Sequence, residues 1–226
     1  MTRPEARPAA SRSKSKQTSA VPARRSRVPI PLLLGIVAIG VLVVGIAARN
    51  TLTGADKQGV SYEVGRPGPG DVAPDFSLAN ADGTPFHFAD LHGKQVLLYF
   101  HEGLGCDPCW RQIDSIQADL ARFKGLGIDQ VVAISADPAA AQGQRAKRAS
   151  ITIPTLADPD RAVSGAYGTL AYGMMNGALP GHTFVLVGPD GKIRWRADYG
   201  GAPNYTMFVA DETLLAELRR ALGISG

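Results

Sequence analysis

The chain contains two cysteines, Cys106 and Cys109, and only two residues separate them. An apolar run and a glycine-containing turn precede them, and an amphipathic helical pattern begins at the same place. Cysteines at this spacing can close a small disulfide ring, and a helix N-terminus stabilises a thiolate through its free N–H groups. Two cysteines among 226 residues do not form a disulfide scaffold, because such scaffolds are small and rich in cysteine. The pattern therefore predicts thiol–disulfide chemistry.

The positions around the cysteines predict how the pair would work. Cys106, at the turn, is expected to be the exposed nucleophile, and Cys109 is expected to resolve the mixed disulfide from one helical turn further in. Pro108 suits the first turn of a helix and restrains the ring, so it faces the partner together with the nucleophile. Asp107 places a negative charge beside the thiols and disfavours the thiolate form. We therefore expect a pair that is less oxidising than one with a basic residue at this position.

Two side chains flanking the motif are further candidates. Glu102 precedes Cys106 by four residues and is predicted to accept or relay a proton, the alternative being an ordinary solvated turn residue. Trp110 is predicted to pack at the rim of the site, with contact to a partner as its second role. The later segment 198–208, rich in turn residues and aromatics, is a further candidate for partner recognition, with plain loop packing as the alternative.

Apolar periodicity predicts the elements that hold the motif. Strand patterns cover residues 76–78, 86–88, 95–100, 130–135, 153–156, 182–187 and 192–197, and helical patterns cover residues 108–125, 138–150, 159–167 and 211–222. Asp211 is expected to cap the last helix. Strand, helix and strand in succession around the cysteines predict a βαβ unit, with parallel strands and a right-handed crossover. The expected fold is a central mixed α/β sheet flanked by helices.

The first 70 residues differ in composition from the rest. Residues 1–27 are rich in Arg, Lys, Ser, Pro and Ala and are expected to be a disordered basic tail. Residues 28–48 form an uncharged apolar run long enough to cross a bilayer as a helix, and residues 49–70 suit a flexible tether. The positive charge before the run predicts a cytoplasmic N-terminus and an extracytoplasmic domain at 71–226. A cleaved signal peptide is the alternative, and it also leaves the cysteines outside.

The distribution of charge excludes one class of function. The net charge is +4, yet residues 1–49 contain nine basic residues and one acidic residue. The remainder of the chain therefore has a net charge of −4, with 15 basic and 19 acidic residues. Because the basicity belongs to the tail, the folded part is not expected to bind nucleic acid.

Further stretches carry a resemblance to known redox proteins. These are Asp-Val-Ala-Pro-Asp-Phe-Ser-Leu at 71–78, Asp-Gly at 82–83, and Leu-His-Gly-Lys at 91–94. With the CxxC motif after them, they resemble the alkyl hydroperoxide reductase/thiol-specific antioxidant (AhpC/TSA) and TlpA/ResA-type redoxins over about residues 70–200. The resemblance implies the thioredoxin fold and a thiol–disulfide oxidoreductase that acts on a protein thiol or disulfide, or on peroxide, without a resident cofactor.

The peroxiredoxin branch of the resemblance implies an alternative function. Peroxiredoxins have Pro-x-x-x-Thr-x-x-Cys at their site, which places their peroxide-attacking cysteine on Cys109. Cys106 then takes the position of the threonine, Glu102 that of the proline, and Gly181 that of a later arginine. This branch implies an antioxidant peroxidase with Cys109 as the peroxidatic cysteine.

The thioredoxin-like resemblance also singles out Pro180 and His182. Such proteins place a cis-proline opposite the disulfide before the hairpin strand, and Pro180 lies one residue before that position. His182 is implied to sit opposite the CxxC motif and to face the partner. The context of His182 is also similar to that of Sco-type copper chaperones, which implies a second alternative, a Cu(I) site formed by Cys106, Cys109 and His182.

Overall fold

A mixed sheet of seven strands organises residues 60–224, the part of the chain that the computed structural model describes. The strands are β1 (Ser77–Asn80), β2 (Pro85–His87), β3 (Val96–Phe100), β4 (Gln130–Ser135), β5 (Thr155–Ala157), β6 (Thr183–Val187) and β7 (Ile193–Asp198). Their order across the sheet is β2-β1-β5-β4-β3-β6-β7. The central strands β3, β4 and β5 are parallel, and the outer strands pair antiparallel.

Helices connect and cover the parallel strands. They are α1 (Asp107–Ala118), α2 (Leu120–Gly125), α3 (Ala139–Arg148), α4 (Ala162–Ala166) and α5 (Asp211–Ala221), with 3₁₀ turns at Phe88–Leu91 and Thr169–Tyr172. The segment from β3 through α1 and α2 to β4 is the predicted βαβ unit, and α3 makes a second crossover to β5. The prediction of a thioredoxin-like sheet flanked by helices is therefore confirmed.

Two details of the helices differ from the sequence-based expectation. The pattern predicted one helix from 108 to 125, but at Asp119 the backbone leaves helical geometry (φ −102°, ψ 12°) and α2 begins. Asp211 was expected as the cap of the last helix, but Ala210 occupies that position. The carboxylate of Asp211 instead accepts a hydrogen bond from the Ser115 hydroxyl at 2.6 Å, which links α5 to α1.

Apolar side chains on the two faces of the sheet form two separate cores. One face packs against α1, α2 and α5, and its cluster includes Trp110, Ile113, Phe123 and Leu214. The other face packs around Phe76 and side chains from the β1–β2 region. Because β3 alternates its side chains between the two faces, it contributes to both cores, as expected for a strand buried on both sides. This strand ends immediately before the loop that leads to the cysteines.

Residues 60–70 were predicted as part of the tether, and the structure corrects this prediction. Tyr62 stacks edge-on against two aromatic rings of the domain, and the Gly65 N–H donates to a carboxylate oxygen of Asp198 at 2.7 Å. Asp198 in turn forms a fully buried ion pair with Arg196, whose guanidinium also donates to the Pro67 carbonyl. The composition of this segment is that of a linker. Its packing cannot be predicted from the local sequence, because these bonds come from residues more than 125 positions away.

The predicted tail (1–27) and membrane span (28–48) lie outside the described residues. Within residues 60–224, no helix has both the length and the apolar character needed to cross a membrane.

Candidate active site

The two cysteines form a disulfide at the start of α1. Cys106 occupies the N-cap position, and its Sγ accepts a hydrogen bond from the Cys109 N–H at 3.2 Å. Pro108 lies in the first helical turn, where proline is tolerated because its missing N–H would have no intrahelical partner. Pro108 is half-buried and Asp107 is exposed. The helix N-terminus therefore presents its N–H groups and partial positive charge to the sulfur atoms, as predicted.

Access distinguishes the two sulfur-bearing residues. Cys106 is 7% exposed and Cys109 is 0% exposed. Both pack against Met207, which is itself 8% exposed, in a cluster separate from the two apolar cores. Cys106 is therefore buried, not exposed as predicted, although it keeps some accessible surface where Cys109 has none.

A hydrogen bond to the side chain of Asp137 fixes the loop between β3 and α1. The Asp137 carboxylate accepts a hydrogen bond from the Leu104 N–H at 2.7 Å. Gly103 has a φ of +89°, and a Cβ built there would lie 1.8 Å from Asp137 Oδ2, so only glycine fits. The sequence analysis did not identify Asp137. Asp137 follows the end of β4, the buried strand next to β3. A polar residue just after such a strand is the signal by which the sequence could have identified it.

Glu102 lies at the end of β3, almost fully buried. Its Oε1 accepts a hydrogen bond from the Met174 N–H at 2.6 Å, so it holds the loop that follows the second 3₁₀ turn. Burial raises the pKa of the Glu102 carboxyl, and the hydrogen bond from Met174 opposes this shift. The alternative of a solvated turn residue is therefore wrong. A buried carboxyl with a raised pKa is chemically suited to proton transfer.

A buried group of rings lies behind the disulfide. The Tyr99 hydroxyl is 2.8 Å from Nδ1 of His182 and 3.4 Å from the Cys109 carbonyl oxygen. His101 stacks on Tyr99, and its Nδ1 accepts a hydrogen bond from the Gly103 N–H at 3.1 Å. Burial lowers the pKa of both imidazoles to about 3, so both are neutral at physiological pH. This group contacts the active-site loop and Cys109 from the sheet side.

Three predicted partner-facing residues are buried instead. Trp110 is 0% exposed and packs in the core, with the Arg145 guanidinium 5.2 Å from its ring centroid, so its first expected role, packing, is the correct one. Pro180 is buried, and its peptide bond is not among the cis bonds of the described residues, which are those before Pro67 and Pro203. His182 is 0% exposed because its ring turns into the protein toward Tyr99.

The proposed copper ligand set is also not assembled as predicted. Within residues 60–224, no group of three or more His, Cys, Asp or Glu side chains is placed to hold a metal ion. The Nδ1 atom of His182 is engaged by Tyr99, and the side chain that joins the two cysteines is Met207. The copper site predicted from Cys106, Cys109 and His182 is therefore not assembled in this part of the chain.

The segment from Tyr199 to Ala210 places Met207 in the cluster with the two cysteines, whereas the sequence predicted partner recognition or plain loop packing for residues 198–208. The Thr206 N–H donates to the Tyr199 carbonyl at 2.9 Å, and the Val209 N–H donates to Gln112 Oε1 at 2.7 Å. Gln112 lies on α1 and is fully buried. These two bonds bracket Met207 and hold it against the disulfide. The aromatic and turn-rich composition pointed to this segment but not to Met207.

Comparison with known proteins agrees with this architecture. The AhpC/TSA family model matches residues 69–196. The chain is 36% identical over 129 residues to the Mycobacterium tuberculosis protein named "Putative peroxiredoxin Rv2521", covering 55% of this chain and 81% of that protein. It is 28% identical over 159 residues to the thiol-disulfide oxidoreductase ResA of Bacillus subtilis, covering 70% and 79% of the two chains.

The solved structures show the same fold. The crystal structure of peroxidoxin BcpB from Mycobacterium tuberculosis superposes with a TM-score of 0.57 at 23% identity, covering 70% of this chain and 99% of that one. The family model spans more than half of the 226 residues and includes both cysteines. The chain belongs to the AhpC/TSA family and is an oxidoreductase.

Proposed function

We propose that this protein is a thiol–disulfide oxidoreductase that exchanges disulfides with protein partners, with Cys106 as the attacking residue and Cys109 as the resolving residue. One observation carries the proposal: the pair forms a disulfide at a helix N-terminus, in which Cys106 keeps 7% of its surface accessible and Cys109 keeps none. The similarity to ResA over 70% of the chain supports it.

The exchange reaction follows from this arrangement. The reduced Cys106 loses its proton and attacks a partner disulfide, forming a mixed disulfide and releasing one partner thiol. Cys109 then loses its proton and attacks Cys106 Sγ, which re-forms the internal disulfide and releases the second partner thiol. The partner gains two electrons and two protons, and the pair loses them. The helix N-terminus stabilises the Cys106 thiolate, because partial positive charge and free N–H groups face it.

Glu102 is proposed to accept the proton that Cys109 releases. Cys109 is not exposed to solvent, so its proton needs a protein group or an internal water as acceptor. Glu102 is a buried carboxyl at the start of the loop that leads to the cysteines, and its raised pKa matches this task better than that of an exposed carboxyl.

The structure argues against the peroxidase alternative. A peroxidatic Cys109 would have to react with peroxide while fully buried. Position 181, where the resemblance places an arginine, is a glycine at which an added Cβ would lie 2.0 Å from the Tyr172 carbonyl oxygen. Because some relatives are named as peroxiredoxins, any test of the proposed function should also measure peroxide consumption.

We also propose that an N-terminal helix anchors the domain on the extracytoplasmic face of the cell membrane. The uncharged run at 28–48 and the basic residues before it support this placement. In that compartment a structural or catalytic disulfide persists, whereas the cytosol would keep the pair reduced. Labelling intact cells with a membrane-impermeant thiol reagent after mild reduction tests the proposal, and protection of both cysteines until lysis would contradict it.

Single-cysteine variants test the proposed roles. Cys109→Ser should trap mixed disulfides through Cys106, whereas Cys106→Ser should trap none, because the remaining Cys109 is buried. Trapping on Cys109 alone would overturn the assignment. Peroxide consumption that survives Cys106→Ser and is lost in Cys109→Ser would establish the peroxidase instead.

A further inference from the structure

The redox pair shares its cluster with a third sulfur-bearing side chain. Cys106, Cys109 and Met207 form a buried cluster of their own, separate from both apolar cores, and each is less than 10% exposed. Met207 is held there by hydrogen bonds on either side of it, from the Thr206 N–H to the Tyr199 carbonyl and from the Val209 N–H to Gln112 Oε1. Gln112 belongs to the helix that carries both cysteines, so the position of Met207 is fixed relative to the pair.

The three side chains of this cluster are all soft donors. Opening the disulfide gives two thiols next to a thioether, and the thiolates formed from them, together with the thioether, are soft ligands that suit Cu(I). Within the described residues, no cluster of His, Cys, Asp and Glu side chains offers an alternative metal site. Zn²⁺ structural sites use four nitrogen, sulfur or carboxylate donors, and this cluster supplies three sulfurs, one of them uncharged.

The surroundings suit a small monovalent cation bound by two anionic sulfurs. The Cys109 N–H already points at Cys106 Sγ, and the first turn of α1 contributes partial positive charge that stabilises a net anionic complex. The cluster is closed to bulk water except at the edge where Cys106 is 7% exposed. A cation could therefore enter at Cys106 and be enclosed by Met207 and Cys109.

We propose that the reduced protein binds one Cu(I) ion through Cys106, Cys109 and Met207. The inference rests on the proposed function in one respect, because both require a dithiol donor to open the pair. That donor supplies two electrons and two protons to the disulfide and becomes oxidised itself. On binding, the two thiols release their protons as the copper–sulfur bonds form, and the copper remains Cu(I).

The experiment uses the full-length chain in detergent, reduced with dithiothreitol without oxygen and then freed of reductant. Free thiols are counted, Cu(I) is titrated against a coloured Cu(I) chelator, and the copper ligands are counted by X-ray absorption spectroscopy. We expect three sulfur neighbours in the wild-type protein and two in Met207→Leu, with binding weakened by about tenfold, the scale on which even outer-shell partners of metal sites act. Met175→Leu is the matched control, because Met175 is 54% exposed and outside the cluster, and it should bind as the wild type does.

Labelling with selenomethionine makes the test independent of how the Met207 variant folds. A copper–selenium contact should appear in the labelled wild-type protein and in labelled Met175→Leu. Its absence, a third neighbour that is nitrogen, or unchanged affinity in Met207→Leu would overturn the copper inference and leave the exchange function standing. A pair that dithiothreitol cannot open would overturn both. Copper binding by three sulfurs without any disulfide exchange would overturn only the proposed function.

Discussion

The side-chain oxygen of Gln112 accepts a hydrogen bond from the Val209 N–H at 2.7 Å, although the two residues are 97 positions apart in the chain. Gln112 lies on the same helix as Cys106 and Cys109. The helix that presents the redox pair therefore also fixes the segment that covers it, and Met207 lies within that segment. Access to the sulfur atoms depends on a bond that no local sequence pattern marks.

Replacing Gln112 by Ala tests this coupling. The Val209 N–H would lose its buried acceptor, which costs about 1–3 kcal/mol of folding free energy. Met207 should then be held less firmly, and alkylation of Cys109 in the reduced protein should become faster. Urea unfolding and thiol alkylation followed by mass spectrometry measure the two effects.

Gln117→Ala is the matched control, because Gln117 also lies on α1 and accepts backbone hydrogen bonds from Thr152 and Ile153, away from the cysteines. It should lower stability without changing the alkylation of Cys109. Equal alkylation rates in both variants would contradict the coupling.

Asp107→Asn tests the effect of the charge beside the nucleophile. Asp107 is exposed at the start of α1, one residue after Cys106. Removing its negative charge should lower the pKa of the reduced Cys106 thiol by about half a unit and make the pair more oxidising, on the scale of one charge at a helix terminus. Thiolate absorbance against pH and equilibration with a glutathione buffer measure the changes. Asp114→Asn, on the same helix, should leave both values unchanged, and a rise in the Cys106 pKa in Asp107→Asn would refute the argument.

The two buried imidazoles predict sensitivity to acid. Burial lowers the pKa of His101 and His182 from 6.5 to about 3 in the folded protein. The unfolded chain therefore takes up protons below pH 6.5 that the folded protein refuses. Stability should be complete above that value and fall as the pH decreases toward 3, by about 2–3 kcal/mol for each ring near pH 4.5.

Urea unfolding of His101→Asn against pH checks this prediction. The variant removes one of the two buried imidazoles, so the acid-dependent loss should be reduced by about half. The asparagine oxygen can replace Nδ1 as the acceptor for the Gly103 N–H, which keeps the loop in place. His92→Gln changes an exposed imidazole and should leave the loss intact. An unchanged acid profile in His101→Asn would show that the ring is not buried as a neutral group.

The buried Arg196–Asp198 ion pair predicts how residues 60–70 are retained. Arg196→Met leaves the buried Asp198 carboxylate without its cation, at a cost of about 3–5 kcal/mol. The segment at 60–70 should also become sensitive to proteolysis, since Gly65 and Pro67 bond to this pair. Arg122→Gln breaks the exposed ion pairs of Arg122 with Glu212 and Asp119, and it should change stability little and leave proteolysis unchanged. Equal losses of stability in the two variants would contradict the role of the Arg196–Asp198 pair in holding residues 60–70.

Glu102→Gln separates a proton-transfer role from a structural one. Because burial raises the pKa of this carboxyl above 4.5, its ionisation is unfavourable in the folded protein and lowers stability as the pH rises through the shifted pKa. Glutamine keeps an acceptor for the Met174 N–H but has no such penalty, so the variant should be at least as stable at neutral pH. Resolution by Cys109 should nevertheless slow, as measured by stopped-flow release of the second partner thiol. Unchanged resolution would remove the proton role.

Local patterns were sufficient to predict most of the scaffold. The strands around the cysteines alternate or run apolar over short lengths, and the Asp190-Gly191 turn joins β6 to β7 as the pattern suggested. The CxxC motif at the start of α1 was equally predictable, because a helical period begins immediately after it. In these places the local preference and the tertiary structure favour the same conformation.

The remaining features depend on contacts between distant residues. Tyr62 and Gly65 lie in a segment with linker composition, yet the aromatic rings and the buried ion pair of β7 bind them. His182 was expected to face the disulfide, but the Tyr99 hydroxyl on the neighbouring strand engages its ring. Met207 lies in a stretch without regular structure, so its contact with the cysteines has no periodic signature. Composition and spacing cannot predict such contacts, because the partner residues are far apart in the sequence.

The separation of the sulfur cluster from both apolar cores bears on how the family diversifies. Cys106, Cys109 and Met207 contribute little to the packing on which either face of the sheet depends. A substitution at position 207 can therefore retune reactivity while the scaffold keeps its stability. Reactivity and folding therefore depend here on largely different residues, so the chemistry of the pair can change without rebuilding either core.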